Sequence, residues 1–291
     1  MEIRGNEPMA KHVTWRAGGK VACACFPRDL ADLAAFMATL RHDEPVLMVG
    51  LGSNLLIRDG GFDGTAIFTH GALDKLQLEP DGTIYAEAGV PSPKLARFAA
   101  QHDLAGAEFL AGIPGTLGGA LALNAGCHGG ETWTFVERVQ MLNRQGELIV
   151  RTPADFAIGY RHTGLKESTD EIFVAAWLRF PAGDGATARA RIKELLEKRS
   201  ASQPLQLPNA GSVFRNPPGD YAARLIEAAG LKGVAEGGAR VSEKHANFIV
   251  NPDGKATAAA IESLIGRIQV AVREQFGVEL VREVRILGVK N

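Results

Sequence analysis

Fixed charge of one sign and long apolar runs are both scarce in this sequence. With 32 Lys and Arg against 33 Asp and Glu, the formal charge at pH 7 is −1. The chain as a whole therefore carries no field to draw it to nucleic acid or an anionic membrane, although a local anion site remains open to it. No apolar stretch approaches the ~20 residues that span a bilayer, and the opening run MEIRGNEPMAKH lacks the apolar segment of a signal peptide. The expected compartment is the cytoplasm. Cysteine is limited to Cys23, Cys25 and Cys127, an odd number with no metal-binding spacing, so the three are expected to be structural thiols. No H-E-x-x-H and no other histidine pair at ligand spacing occurs, which argues against a catalytic metal. Internal repeats, low-complexity tracts and the G-x-x-x-x-G-K-[ST] loop are missing too.

What is present is an ordinary globular composition, 46% hydrophobic and 22% charged, in a chain of 291 residues. That length holds two or three compact units with a substantial core. Against this background residues 112–130, GIPGTLGGALALNAGCHGG, are unusual. Glycine here lets the backbone take positive φ and lets another group approach it closely. A run of inward N–H groups can then hold a diphosphate without a charged side chain. Tight turns between short strands are the plainer reading of the same glycines.

A second glycine turn, Gly50-Leu-Gly52-Ser53-Asn54-Leu55, follows the apolar strand pattern of residues 46–49. It resembles the opening of a dinucleotide fingerprint but lacks the third glycine, and no helix pattern follows. Elsewhere, Pro27-Arg28-Asp29 opens a helix pattern that runs to Arg41, and Ser92-Pro93 opens another with Ser92 as cap and Pro93 at the first helical position. Strand patterns cover residues 65–69, 83–88, 136–142, 148–150 and 172–180, with a hairpin turn at residues 143–146. Helices are expected over residues 185–199, 221–229 and 255–276, the last closed by Gly277. Residues 200–208, SASQPLQLP, read as a linker, and residues 278–287 as a strand that sets Glu283 and Arg285 on one face. Arg16, in Thr14-Trp-Arg16, reads as a cofactor contact or a plain surface charge.

Two glycine turns suited to a diphosphate, with neither nucleotide fingerprint, suggest a large cofactor held mainly by backbone, and FAD fits that description. The motifs G-L-G-S-N-L-L at 50–56, G-I-P-G-T-L-G-G-A at 112–120, N-A-G at 124–126, Y-R at 160–161, G-S-V-F-R-N-P at 211–217, S-E-K-H-A-N-F-I-V-N at 242–251 and E-V-R at 283–285 occur in this order over nearly the whole chain. Together they resemble the UDP-N-acetylenolpyruvoylglucosamine reductase (MurB) family. The resemblance implies an α+β fold: an FAD-binding fold of the vanillyl-alcohol-oxidase/PCMH-like type in two subdomains, plus a C-terminal α/β substrate domain. The expected boundaries are 1–200 for the FAD-binding region, with subdomains of about 1–70 and 71–200 and residues 281–291 returning to it, and 201–280 for the substrate domain.

The resemblance also implies noncovalent FAD, NADPH as reductant, and reduction of the enolpyruvyl group of UDP-N-acetylglucosamine enolpyruvate to give UDP-N-acetylmuramate for peptidoglycan. Arg161, Ser212 and Glu283 match the family's catalytic positions. A guanidinium fork suits the substrate carboxylate as charge grows on it, Ser212 would protonate carbon, and Glu283 would polarise the carboxylate or assist the proton relay. Cofactor-binding residues implied are Gly50, Gly52, Ser53, Asn54, Leu55, Gly112, Ile113, Pro114, Gly115, Gly118, Gly119, Asn124, Ala125 and Gly126. Tyr160, Arg215 and Asn216 are implied on the substrate side, and His245 reads as structural. Taken singly, Arg161 reads as a surface arginine, Ser212 as a turn hydroxyl, Glu283 with Arg285 as an edge-strand pair and Tyr160 as core packing.

Gly159 stands where the family commonly has serine, and the fifty residues between Arg161 and Ser212 leave no room for the inserted tyrosine-bearing loop of the longer family type. Two other functions remain open on the residues: an FAD-dependent oxidase or dehydrogenase of a hydroxy acid or sugar alcohol, and a non-catalytic nucleotide-binding module. No nucleic acid, membrane or obligate protein partner is expected.

Overall fold

The structure is a computed structural model that describes residues 1–167 and 170–290. Residues 168, 169 and 291, which the expected domain ranges include, lie outside the described residues. In chain order the regular elements begin with β1 (Glu2–Pro8), β2 (Lys20–Phe26), α1 (Leu30–Met37), β3 (Val46–Val49), β4 (Leu55–Ile57), β5 (Phe62–Phe68), β6 (Leu76–Leu78), β7 (Ile84–Glu87), α2 (Ser92–Gln101), α3 (Leu117–Ala122), β8 (Gly126–Cys127) and β9 (Gly130–Glu131). They continue with β10 (Val136–Leu142), β11 (Leu148–Arg151), β12 (Phe156–Gly159), β13 (His162–Leu165), β14 (Ile172–Leu178), α4 (Gly185–Ser202), α5 (Ala222–Ala228), β15 (Ala235–Glu236), β16 (Ala239–Val241), β17 (Ile249–Val250), α6 (Ala258–Phe276) and β18 (Arg285–Leu287).

The chain divides into two compact units, one of Met1–Arg4, Ala24–Gly50 and Thr65–Arg199, the other of Gly5–Cys23, Leu51–Gly64 and Ser200 onward. The two units meet in sequence at Arg199 and Ser200, inside α4, which runs through the start of the expected linker until Pro204 prevents its continuation. Residues 281–290, expected to return to the FAD-binding region, lie with residues 5–23 and 51–64 in the second unit. The reason is a parallel pairing of β18 with β4, Arg285 beside Leu55 and Leu287 beside Ile57.

The first unit is built on an antiparallel sheet in the order β11-β10-β14-β7-β6. Its hairpin turn follows from Asn143, whose Oδ1 accepts from the N–H groups of Gln145 and Glu147 at 3.0 and 2.9 Å, while Gly146 takes φ +79°. Ile84, Ala86, Val139 and Ala176 from the sheet are buried with Leu95 and Ala99 of α2 and Leu117 and Leu121 of α3. The helix α3 inside the glycine stretch was not expected. Its buried Leu117, Ala120 and Leu121 have helical spacing, and the adjoining Gly118 and Gly119 mask it.

Two helix ends differ from expectation. α1 begins as read, with Asp29 accepting from Asp32 N–H, but stops at Met37. α2 has Pro91 as its N-cap. Ser92 does not cap because it is already the first helical residue, the Lys94 and Leu95 N–H groups turning back to Pro91 O; its own N–H donates to Gly115 O at 2.9 Å, and its hydroxyl is buried with no partner among the described residues.

In the second unit α6 buries Ile261, Leu264, Ile265, Ile268 and Val272 on one stripe. Thr257 Oγ1 accepts from Ala260 N–H at 3.1 Å, and Asp59 Oδ1 and Oδ2 accept from Ala258 and Ala259 N–H at 3.0 and 2.8 Å. Gly277 closes the helix at φ +67°. Arg58, next to this cap, pairs with Glu262 of α6 at 2.8 Å. The expected strand over residues 278–287 is regular only at β18. Before it, Arg215 N–H donates to Val281 O and Glu283 N–H to Val213 O, a local ladder with a non-sequential partner.

Asp59→Ala removes two acceptors from the first turn of α6 and is expected to lower stability by about 1–2 kcal/mol, read from the shift of the urea denaturation midpoint. Ser92→Ala removes only an unpaired hydroxyl and should leave the melting temperature unchanged or raised.

Candidate functional site

In the first unit the candidate residues gather around the glycine stretch. A Cβ added at Gly50 would lie 2.3 Å from Thr116 Oγ1, and one at Gly118 3.0 Å from Ala88 Cβ. At Gly112 it would meet Cys127 Sγ at 2.7 Å, and at Gly126 Gly130 O at 2.3 Å. These glycines let protein pack on protein. Gly119 is different: it is exposed, and an added Cβ meets nothing within 4 Å. Ile113 N–H turns back to Leu110 O, exposed Pro114 follows, and Gly115 O accepts from Ser92.

Asn124 is buried at φ +41°. Its Nδ2 donates to Glu131 Oε2 at 3.0 Å and to Gly159 O at 3.2 Å, and its Oδ1 accepts from Trp133 N–H at 3.1 Å. That side chain therefore shapes the loop. Ala125 O accepts from both Thr132 N–H and Thr132 Oγ1.

Tyr160 and Arg161 form the tip of the β12–β13 hairpin, between the paired Gly159 and His162. Arg161 takes φ +54°, a conformation costing a non-glycine residue roughly 1–2 kcal/mol, and Nη2 donates to Gly126 O at 2.6 Å. The guanidinium carbon lies 5.0 Å from the Tyr160 ring centroid. Tyr160 is 50% exposed, so it is not core packing. A Cβ at Gly159 would meet nothing within 4 Å; the absent side chain leaves space at the hairpin base. Nearby, Cys127 Sγ donates to Phe109 O at 3.0 Å, and burial pushes its pKa up, consistent with a structural thiol. Burial and the cations Arg191, Lys198 and Arg199 hold the His128 pKa down.

In the second unit Gly52 takes φ +61°, and a Cβ there would lie 2.1 Å from His12 O. Thr14 N–H donates to Gly52 O at 3.1 Å, so the turn is docked on the segment before Trp15. Arg16 is exposed, at φ +55°. Ser53 is half-buried, Leu55 is buried in β4, and Asn54 Nδ2 donates to Glu283 O at 3.1 Å. Glu283 N–H donates to Val213 O at 2.8 Å, which brings the residue after Ser212, the Asn54 turn and Glu283 into one neighbourhood. Arg215 Nε is buried with no partner among the described residues. Asn216 Oδ1 accepts from Ala222 N–H at 3.1 Å, fixing the loop to the first turn of α5. Burial lowers the His245 pKa, and its Nδ1 is another buried atom without a partner among the described residues. Two side chains with structural work here escaped the sequence reading: Thr116, whose hydroxyl needs the missing Cβ of Gly50, and Asn247, bonded twice to Phe214.

The residues fit a backbone-held cofactor. Among the described residues, the N–H groups of Ser53 and Asn54 in one unit, and of Gly115, Thr116 and Gly119 in the other, donate to no backbone carbonyl. Thr116 precedes α3 without a side-chain cap bond. Such N–H groups suit the oxygens of a diphosphate, and Gly119 leaves the space such a group requires.

Residues 203–287 match the family described as UDP-N-acetylenolpyruvoylglucosamine reductase, C-terminal domain, and residues 21–151 match the FAD binding domain family. The UDP-N-acetylenolpyruvoylglucosamine reductase of Thiobacillus denitrificans is 56% identical over 299 residues, covering 98% of this chain and 92% of that protein. The reductase of the same name from Legionella pneumophila strain Corby is 55% identical over 287 residues, covering 98% and 92%. The solved structure of MurB from Thermus caldophilus matches with a TM-score of 0.82 at 31% identity, over 98% of each chain.

Gly118 and Gly119 make opposite predictions. Gly118→Val forces a branched side chain onto Ala88 and should lower the melting temperature of the protein. Gly119→Val meets open space, so its folded state should persist while its FAD content after purification falls, read by absorbance and by a fluorescence titration with FAD.

Proposed function

The chain belongs to the UDP-N-acetylenolpyruvoylglucosamine reductase family, and on that footing we propose which of its residues carry out the family's reaction. It is an FAD-containing oxidoreductase of peptidoglycan precursor synthesis that uses NADPH to reduce UDP-N-acetylglucosamine enolpyruvate to UDP-N-acetylmuramate. Membership sets aside the hydroxy-acid oxidase and the non-catalytic module.

Bound FAD supplies hydride transfer, from NADPH to the enolpyruvyl double bond. What remains for the protein is to hold the substrate carboxylate, to stabilise the negative charge that grows on its oxygens, and to deliver one proton to the neighbouring carbon. Arg161 takes the first two tasks: a planar guanidinium matches a carboxylate, and a donor fixed in place before the reaction needs no reorganisation as charge develops. Its bond to Gly126 O and the tight turn of the β12–β13 hairpin, which sets its left-handed backbone, hold it in place. Ser212 holds the proton for carbon, and Glu283 polarises the carboxylate or assists the relay. Arg215, whose buried Nε–H has no partner among the described residues, meets the substrate diphosphate; Tyr160 and Asn216 complete the substrate side. The cofactor is held by Gly50, Gly52, Ser53, Asn54 and Leu55 and by residues 112–115, 118, 119 and 124–126, with backbone donors carrying most of the contact.

The observation that supports this assignment most is the bond from Glu283 N–H to Val213 O at 2.8 Å, which joins one candidate catalytic residue to the neighbour of another, Ser212, far away in sequence. The residues on either side of residue 200 are proposed to divide cofactor binding from substrate binding, with the segment 51–64 a cofactor-binding part of the second unit. No helix among the described residues is long and apolar enough to cross a membrane, and the cytoplasm, where NADPH and the nucleotide substrate are made, is the proposed compartment.

The test separates the two half-reactions under anaerobic conditions. NADPH should bleach the oxidised flavin band, and UDP-N-acetylglucosamine enolpyruvate should restore it. Ser212→Ala should leave the bleaching unchanged and slow the restoration by about 10²–10⁴-fold. Equal restoration rates in the two proteins would remove Ser212 from the proton step.

A further inference from the structure

Asn247 belongs to the run Ser242-Glu-Lys-His-Ala-Asn-Phe, for which the reaction as assigned above has no use. It is 3% exposed, and its carboxamide makes one accepted and one donated bond to a single residue. Phe214 N–H donates to Asn247 Oδ1 at 3.0 Å, and Asn247 Nδ2 donates to Phe214 O at 2.8 Å. The backbone carbonyl of Asn247 accepts a third bond, from Val213 N–H at 2.9 Å. A carboxamide offers one acceptor and one donor face, so here it imitates the peptide group of a neighbouring strand where no regular strand exists. The other edge of the same segment is held by Glu283 N–H to Val213 O at 2.8 Å and by Arg215 N–H to Val281 O at 2.9 Å.

Val213 and Phe214 are therefore clamped from both sides, and Ser212 is the residue immediately before the clamp. The direction of its Cα–Cβ bond depends on the peptide that joins it to Val213. Rotation of that peptide would move the hydroxyl by an ångström or more, and a displacement of about 1 Å at a reacting group costs on the order of 10²-fold in rate.

We propose that Asn247 is a positioning residue for the proton-delivery step, acting through the backbone of residues 213–214 to aim the Ser212 hydroxyl. The proposal rests on the assignment of the proton to Ser212. A buried amide that served only the fold would weaken the protein, or both half-reactions, without preference.

Two variants of the FAD-loaded full chain distinguish these cases. N247S is too short to make both bonds to Phe214. N247D makes both only while its carboxyl is protonated, a state that burial favours and rising pH removes. Flavin reduction by NADPH and flavin reoxidation by UDP-N-acetylglucosamine enolpyruvate are timed separately from acid to alkaline pH, alongside FAD content and melting temperature. N247S should slow reoxidation by about 10²-fold at every pH, with reduction by NADPH and FAD content unchanged. N247D should approach the parent rate at low pH and the N247S rate at high pH. The N247S change should add nothing to Ser212→Ala, since both act on one group. Equal slowing of the two half-reactions, a loss additive with Ser212→Ala, or failure of both variants to hold FAD and melt cooperatively would assign Asn247 to the fold alone and overturn the proposal. If Ser212→Ala itself leaves reoxidation intact, the proton assignment has failed, and this proposal falls with it.

Discussion

The second unit depends on three residues of β18 lying parallel to three residues of β4. The pairing joins Arg285–Leu287 to Leu55–Ile57, and it must be stable enough to offset the closure of a chain segment more than two hundred residues long, a cost that grows only slowly with length. Leu56 and Ile57 are fully buried, so the short ladder is shielded from water on the side that matters most. Arg58 extends the attachment: its N–H reaches Leu287 O at 2.9 Å, its Nη1 reaches Gly288 O at 2.9 Å, and its guanidinium pairs with Glu262. The neighbouring Asp59 caps α6. One segment of a few residues thus ties the C-terminal strand and the longest helix to the glycine turn that ends at Asn54.

From that pairing the geometry of the candidate catalytic residues follows. Glu283 precedes β18, receives the Asn54 amide on its carbonyl, and reaches Val213 with its N–H. The residues that follow Ser212 are placed by backbone bonds and by the Asn247 amide. Backbone hydrogen bonds in a buried setting are directional and costly to leave unmade, so they define orientation better than a surface ion pair does.

The glycine stretch of the first unit shows the same economy in steric form. Four of its glycines, 112, 118, 126 and 130, face a neighbouring backbone or side chain that leaves little or no volume for a Cβ, Gly112 against Cys127 and Gly126 against Gly130 among them. These close approaches pack the stretch against its neighbours around the N-terminal turn of α3. Gly119, like Gly129, would have nothing within 4 Å of an added Cβ, and the N–H groups of Gly115, Thr116 and Gly119, which among the described residues donate to no backbone carbonyl, lie around it in sequence. Rigid loops with unpaired donors are suited to bind a diphosphate without a large ordering cost.

Much of this was legible in the chain. Helix α6 shows its apolar stripe and Gly277 stop, the Asn143 turn carries its own hydrogen-bonding residue, and the motifs from Gly50 to Glu283 identify the family because they occur in one order. The rest was hidden for identifiable reasons. Helix α3 was obscured because Gly118 and Gly119 have poor helix propensity and only the buried Leu117, Ala120 and Leu121 stabilise it. Ser92 looked like a cap, but the helix begins one residue earlier than its pattern suggests, with Pro91 in the cap position. The expected strand over residues 278–287 broke up because its partners come from separate segments, Val213 with Arg215 first and then β4. Local pattern and residue chemistry, which depend on neighbours in the chain, determined the elements, the family and the candidate residues. Which unit residues 51–64 join, why Gly119 differs from Gly118, and what Asn247 holds were decided only by tertiary structure, because each depends on a partner that sequence separation conceals.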